Sequence, residues 1–441
     1  MPEDLRGFIG RLEATGHLIT LGRPVDPALE APALMRELER RQTAGFFRQV
    51  ADTGFSMVSN ILGTREMVAL ALGVDTPRVN FAWRERLGRR IDPALTDSGP
   101  VQEVVRTGAD VDLTRLPLVT HATKDAGPYI TAGMVFTRDP DTGRRNVSIN
   151  RMQLKGRDKT GLRCMPPQQL GMIHAKQEAR GKNLEVAVAV GNHPCDLMAA
   201  ATTLLLGDDE MALAGSLRGE PVPMVRCLTV DVEVPADAEL VLEGEILADV
   251  REPEGPFGDF LQFYVPVMDN RVFQVKAITH RVNPIWHSIQ ASSREDTNLL
   301  GLSREAQILD AVLQNGARVA DVRLHPSILA AVIAIEKQYE GEPMNVAMAA
   351  FGKYRWLKCC VVVDQDVDPG DMNDVWWAVA TRCRLEGGVQ VFPNTGGFSR
   401  DAYGIHLAKL AIDATIPLGE WGEFERKRVA RDGELRLEDY L

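Results

Sequence analysis

The chain has 441 residues, 45% hydrophobic and 25% charged, the balance of a globular protein long enough for two or three domains. A formal net charge of −11 with no basic stripe argues against nucleic acid as a partner. No apolar run reaches membrane-spanning length, the N-terminus is acidic with no apolar signal region, and the six cysteines form no CxxC, which argues against a membrane anchor, a secreted disulfide scaffold and a structural zinc, leaving a cytoplasmic location as the expectation.

In chain order, "DLRGFIGRLEATG" and "APALMRELERRQTAG" carry helical periodicity and "FSMVSNIL" reads as a strand. The opening third is therefore expected to be a small α/β segment that ends near "LTRLPLVTHATKDAGPY". In "NVSINRMQL", Val147 and Ile149 alternate with Ser148 and Asn150, but the apolar phase has flipped by Met152 and Leu154. That flip predicts a bulge near Arg151, which would re-aim the side chain; the alternative is a surface arginine on an edge strand.

"PPQQLGMIHAKQEARGK" predicts a helix entered through proline and closed at Gly181, with Gln168 and Gln169 in the first turn, where a glutamine is ordinarily a capping group. "GDDEMALAG" places Glu210 at another helix start, where the helix dipole alone accounts for a carboxylate. "LTVDVEV" alternates Leu228, Val230, Val232 and Val234 with polar residues, and "ELVLEGEIL" and "VFQVKAITHRV" follow as further strands of a sheet-rich core. Between the last two, "EGPFGD" hangs Glu254 and Asp259 from one turn: either a solvated loop or two acids that share a proton. "SREAQILDAVLQNG" then predicts a helix stopping at Asn315-Gly316, and the last third alternates strand and helix as a separate α/β layer.

The common signatures are missing: there is no GxGxxG after a strand, no Walker A loop, no HExxH and no GxSxG. In order and spacing, however, "NVSINR", "PPQQ", "DDEMALAG", "EGPFGD" and "DVDPGDMNDVWWAVATR" resemble the UbiD family of reversible decarboxylases, which use prenylated FMN, over about residues 110–415. The resemblance implies a mixed α/β fold: an N-terminal α/β segment (1–115), a central split β-barrel that binds the flavin (116–300), a linking helix (301–323) and a C-terminal α/β dimerisation domain (324–441). It implies that Arg151 holds the substrate carboxylate while Glu254 and Asp259 are the acid/base pair, Asp259 being the proton donor.

It further implies that Ile149, Asn150, Arg151, Arg163, Cys164, Met165, Gln168 and Gln169 line the flavin, with Lys409 near its phosphate. Asn146, Gln169 and Glu210 would hold a divalent metal. The family often has histidine where Gln169 stands, and an amide oxygen there favours Mn²⁺ or Mg²⁺ over zinc, with K⁺ a further candidate cation.

An electron sink suits this chemistry, because the carbanion left by CO₂ departure has no side chain to absorb it. Two carboxylates beside one arginine can divide the proton work, one neutral and one ionised. Downstream, Trp286 and His287 either face the substrate, His287 offering a hydrogen bond to a phenol or ring nitrogen, or belong to the core. The implied partners are a small aromatic, heteroaromatic or α,β-unsaturated carboxylic acid, a flavin prenyltransferase as cofactor supplier, and further copies of the chain in a homodimer or a hexamer built as a trimer of dimers. The competing enzyme reading is an FMN-dependent oxidoreductase of the split-barrel type, which would have no use for the acid pair.

Overall fold

The computed structural model describes residues 3–164, 166–325, 327–398 and 408–427 together with Tyr440. The chain forms two compact units, Met1–Ala306 and Gln307–Leu441.

The first unit opens with helix Leu5–Ala14, started by the Asp4 carboxylate on the Gly7 amide and burying Leu5, Phe8 and Leu12 along one stripe. Helix Ala31–Arg40 buries Ala31, Met35 and Leu38 in the same manner. Strands Leu18–Leu21, Ala44–Phe47 and Ser56–Ser59 form a small sheet, completed by Ile285–His287 lying parallel to Ser56–Val58. The exchange also runs the other way: Val104–Thr107 pairs with Ala277–His280 in the large sheet. The division expected at residue 115 therefore falls inside one compact unit, because each layer takes a strand from the other's stretch of sequence.

The large sheet is nine-stranded and antiparallel in every pairing. Its spatial order is Tyr129–Ile130, Met152–Leu154, Lys159–Leu162, Met268–His280, Leu240–Glu254, Leu184–Val190, Met134–Arg138 and Arg145–Ile149, with Val104–Thr107 added on Met268–His280. Arg145–Ile149 is one edge and Met152–Leu154 lies next to the opposite edge, yet only Asn150 and Arg151 separate them in sequence. So short a connection reaches about 11 Å at most. The sheet must therefore curl until its edges meet, which makes it a barrel split along a seam, with Asn150 and Arg151 as the stitch. The bulge expected at Arg151 is instead a change of partner: the strand before it pairs with Met134–Arg138 and the strand after it with Tyr129–Ile130 and Lys159–Leu162.

The central strand of the barrel wall is buried on both faces. In Leu184–Val190, Ala187 and Ala189 join one hydrophobic core while Val186, Val188 and Val190 join another, which explains a nearly unbroken apolar run. The alternation over 228–234 does not make one strand. The buried Glu243 carboxylate accepts from the amides of Leu228 and Thr229 and from the Thr229 hydroxyl, so the chain bends there, between the antiparallel strands Pro223–Arg226 and Glu233–Pro235. Capture of local amides by a side chain outweighs the period-2 pattern.

Helix Arg294–Gln314 follows; the helix expected over 301–323 thus starts earlier and ends just before Gly316, whose φ of +86° suits glycine, and Arg318–His325 is a strand. In the second unit the strand order is Arg318–His325, Ala330–Glu336, Cys359–Asp364, Ala408–Ala414 and Val389–Pro393, parallel in the centre and antiparallel at both edges. Helices Glu342–Lys353 and Met372–Arg382 belong to this layer, whose core includes Val332, Val363, Val375, Ala378 and Ile412.

Candidate active site

The stitch across the barrel seam delivers Arg151 to the end of strand Leu240–Glu254. Its Nη2 donates to Glu254 Oε2 at 3.1 Å, and its guanidinium lies over the Phe257 ring, 4.7 Å from the centroid. Glu254 is 1% exposed, and the same oxygen accepts from Asn270 Nδ2 at 2.8 Å. Arg151 Nε is buried and has no hydrogen-bond partner among the described residues, so one donor of the fork is unspent.

The "EGPFGD" turn is held from outside. Gly255, at φ +97°, donates its amide to Gln153 Oε1, and Phe257–Gly258 pairs with Tyr264–Val265 in a small hairpin. The 122–126 loop clamps this turn: the Asp125 carboxylate accepts from the amides of Gly258 and Ala122, both at 2.9 Å, and the Ala126 amide donates to the Pro256 carbonyl. Burial pushes the Asp125 carboxyl above the ordinary range. Asp259 sits at the hairpin's tip, 9% exposed, and its Oδ1 accepts from the Leu261 amide at 3.1 Å. "EGPFGD" is thus a braced turn with both of its acids buried.

Phe257 also packs on Tyr129, ring centroids 4.4 Å apart, and presents an edge contact to His121 at 6.3 Å. His121 has a determined tautomer. Gln290 Nε2 donates to the His121 carbonyl, so Gln290 Oε1 must be the acceptor facing His121 Nδ1, which carries the hydrogen. Burial drives this imidazole down to about 4.

A second cluster lies on the strand that leads into the seam. Asn146 Nδ2 donates to Gln169 Oε1 at 2.7 Å, while Gln169 Nε2 donates to the Leu204 carbonyl at 2.9 Å. Gln169 is the first residue of helix Gln169–Glu178, but its amide reaches across to Asn146 and does not cap its own helix. Glu210 opens helix Glu210–Arg218, 2% exposed, and accepts from the Val147 amide at 2.9 Å. Burial pushes its carboxyl up to about 8, with Asp209 and Asp208 adding to the rise. The nearby Arg145 is committed to Asp209 and Glu233. Asn146 Oδ1 is buried with no partner among the described residues. Two amide oxygens and one carboxylate without a cation fit a hard divalent ion.

The other sequence-predicted residues divide. Asn150 Oδ1 accepts from Ser148 Oγ and its Nδ2 donates to the Arg163 carbonyl at 3.1 Å, so Asn150 and Arg163 meet beside the seam, next to Ile149 at the strand's end. The Cys164 carbonyl accepts from Arg271, and burial pushes its thiol up to about 11. Gln168 takes the position before the first helical residue, and Met165 lies outside the described residues. Lys409 belongs to the second unit, where two of its three ammonium donors go to the carbonyls of Arg355 and Leu357. His287 is fully buried, its Nε2 at 3.1 Å from Glu295 Oε1, and its Nδ1 has no partner among the described residues. Sequence reasoning missed Asn270, Tyr129, Asp125 and Phe257. Asp125 had a signal in "KDAG"; Asn270, one polar residue within a long strand, had none.

Matches to known proteins cover the whole of this arrangement. The chain matches the N-terminal domain of 3-octaprenyl-4-hydroxybenzoate carboxy-lyase over residues 9–87, its Rift-related domain over 94–293 and its C-terminal domain over 297–414. It is 35% identical to the anhydromevalonate phosphate decarboxylase of Methanothermobacter thermautotrophicus, covering 91% of this chain and 95% of that one. Among solved structures it resembles the UbiD-class enzyme HmfF from Pelotomaculum thermopropionicum in complex with FMN, with 39% identity, a TM-score of 0.94 and full coverage of both chains. An evolved dimeric form of that enzyme in complex with prenylated FMN superposes at a TM-score of 0.91, with 39% identity over 99% of this chain and all of that one. The 3,4-dihydroxybenzoic acid decarboxylase AroY of Klebsiella pneumoniae matches at 26% identity and a TM-score of 0.92, again over both full chains. Among the described residues no helix is long and apolar enough to cross a membrane. With all three domains matched in order and relatives aligned along nearly their whole length, the chain belongs to the UbiD family of carboxy-lyases.

Proposed function

We propose that this enzyme decarboxylates an aromatic, heteroaromatic or α,β-unsaturated carboxylic acid with prenylated FMN as electron sink. The observation that carries the reading is the Arg151–Glu254 pair at the barrel seam, with the acid turn braced around it. Arg151 keeps an unspent Nε in a buried site, the donor a substrate carboxylate needs, and Phe257 holds the guanidinium plane. Asp259 then returns a proton to the carbon that lost CO₂. Hydride transfer would leave this acid and arginine set without work.

Ile149, Asn150, Arg163, Cys164 and Gln168 would border the flavin, whose contribution when bound is to accept the electron pair released on decarboxylation. Asn146, Gln169 and Glu210 would hold Mn²⁺ or Mg²⁺ as a bridge to its phosphate; the orphaned Asn146 Oδ1 and the uncompensated Glu210 support that role. His287, whose Nδ1 has no partner among the described residues, is the candidate for a hydrogen bond to the substrate's far end.

The test is a carboxylic acid panel on protein co-produced with a flavin prenyltransferase. It should hold hydroxybenzoic, heteroaromatic, cinnamic and polycyclic acids, together with anhydromevalonate phosphate, for which a relative is named. Product with the prenylated cofactor and none with FMN alone is expected; full turnover with unmodified FMN overturns the reading.

A further inference from the structure

Glu254 occupies a shell made of donors. Its register partner across the sheet is Met268, and Asn270, two residues farther along that strand, is the diagonal neighbour that reaches it. Asn270 Nδ2 and Arg151 Nη2 both donate to Glu254 Oε2, and neither an amide NH₂ nor a guanidinium has a lone pair with which to receive a carboxyl proton. Glu254 Oε1 and the Tyr129 hydroxyl are buried with no other partner among the described residues, and the hydroxyl faces this carboxylate as a donor. Burial together with the Glu254 charge pushes the Tyr129 phenol well above its ordinary range, so it stays a donor.

We propose that Asn270 and Tyr129 are positioning residues that keep Glu254 the ionised member of the acid pair, leaving Asp259 to carry the transferable proton. This rests on the decarboxylase reading above. A proton on Glu254 would turn one charge-assisted bond to Arg151 into a neutral contact and would cost the Asn270 amide its best acceptor. The other charges facing the site are arranged around this pair. Asp125 comes from the clamping loop, Lys155 flanks Gly161 opposite the Glu254 stem and donates to the Pro253 carbonyl, and Glu252 is paired with Lys159 at 2.6 Å.

The experiment uses Asn270→Asp and Tyr129→Phe in the full chain, with two readouts. The first is the pH profile of kcat/KM in protein loaded with prenylated FMN. Asn270→Asp sets a second carboxylate against Glu254, so the pair should retain a proton to higher pH; the acid limb should move up by about one unit, a tenfold loss on that limb that is recovered at higher pH. Tyr129→Phe should move it the same way by less. The second readout is an infrared difference titration of flavin-free protein, each form measured against its own Glu254→Gln counterpart. Wild type should show an ionised Glu254 at neutral pH, and the variants a carboxyl signal that wild type lacks. A protonated Glu254 in wild type, or variants that lose rate equally at every pH with an unchanged infrared titration, would overturn the proposal. Should Asn270→Asp fail to fold, Tyr129→Phe decides by the same criteria. A wild type that decarboxylates nothing sinks the broader reading, while the infrared titration still judges this one.

Discussion

Two glutamates lie buried near the barrel seam and solve the same electrostatic problem in opposite ways. Glu254, 1% exposed, has Arg151 against it and an amide donor on the same oxygen. Glu210, 2% exposed, has a backbone amide and, among the described residues, no cation, and its carboxyl rises to about 8. A buried carboxylate whose counter-charge is part of the chain can work by itself; one without must import a cation or take up a proton. The comparison separates a chemical corner, where Arg151 supplies the counter-charge, from a docking corner, the proposed seat of a metal.

The largest effect that would break this division lies in the chemical corner. Asp259→Asn keeps the shape and removes the proton, so turnover should fall by roughly 10² to 10⁴ while flavin binding survives. Exchange of the product's hydrogen with deuterated solvent checks the assignment: should Asp259→Asn exchange as fast as wild type while Glu254→Gln does not, the two acids must trade roles.

In the docking corner, Glu210→Ala should lose metal and flavin together, by about tenfold to a hundredfold in retained occupancy, whereas Glu254→Gln should keep both. Metal analysis and flavin absorbance on the same samples decide it, and unchanged flavin in Glu210→Ala moves the phosphate anchor elsewhere. A gentler probe is Gln169→His, which should keep occupancy within about a factor of a few in Mn²⁺, since imidazole and amide oxygen both serve that ion. Loss of all metal there would show that the Gln169–Leu204 hydrogen bond, and not ligand type, governs the corner.

The last effect is on stability and concerns the brace of the acid turn. His121 is driven down to about 4 by burial, so on acidification the unfolded chain takes the proton first, near 6.5. Stability tied to His121 is therefore complete above about 6.5 and is lost as pH falls towards about 4, by roughly 3 kcal/mol at the limit. His121→Asn, which sets an amide near the position of Nδ1–H, should flatten the melting temperature over that window. An unchanged slope would assign the acid sensitivity to another group.

Much of the architecture is legible locally, because a helix or strand is stamped by the period of its own apolar residues. The helices at 5–14 and 31–40, the strand at 56–59 and the α/β alternation of the last third need no partner to be read. The order of "NVSINR", "PPQQ", "DDEMALAG" and "EGPFGD" was likewise enough to point to the family. Reading failed where a distant side chain outbid local pattern. Glu243 bends 228–231 out of a well-alternating stretch. Only the tertiary structure brings opposite edges of a nine-stranded sheet together at two residues, turning a phase flip at Arg151 into a seam that meets Glu254, 103 positions away. Asn270 and Tyr129 belong to that same decision. Hydrophobic period is a property of neighbours in the chain, whereas the donor shell of a buried charge is assembled from strands that meet only when the barrel closes.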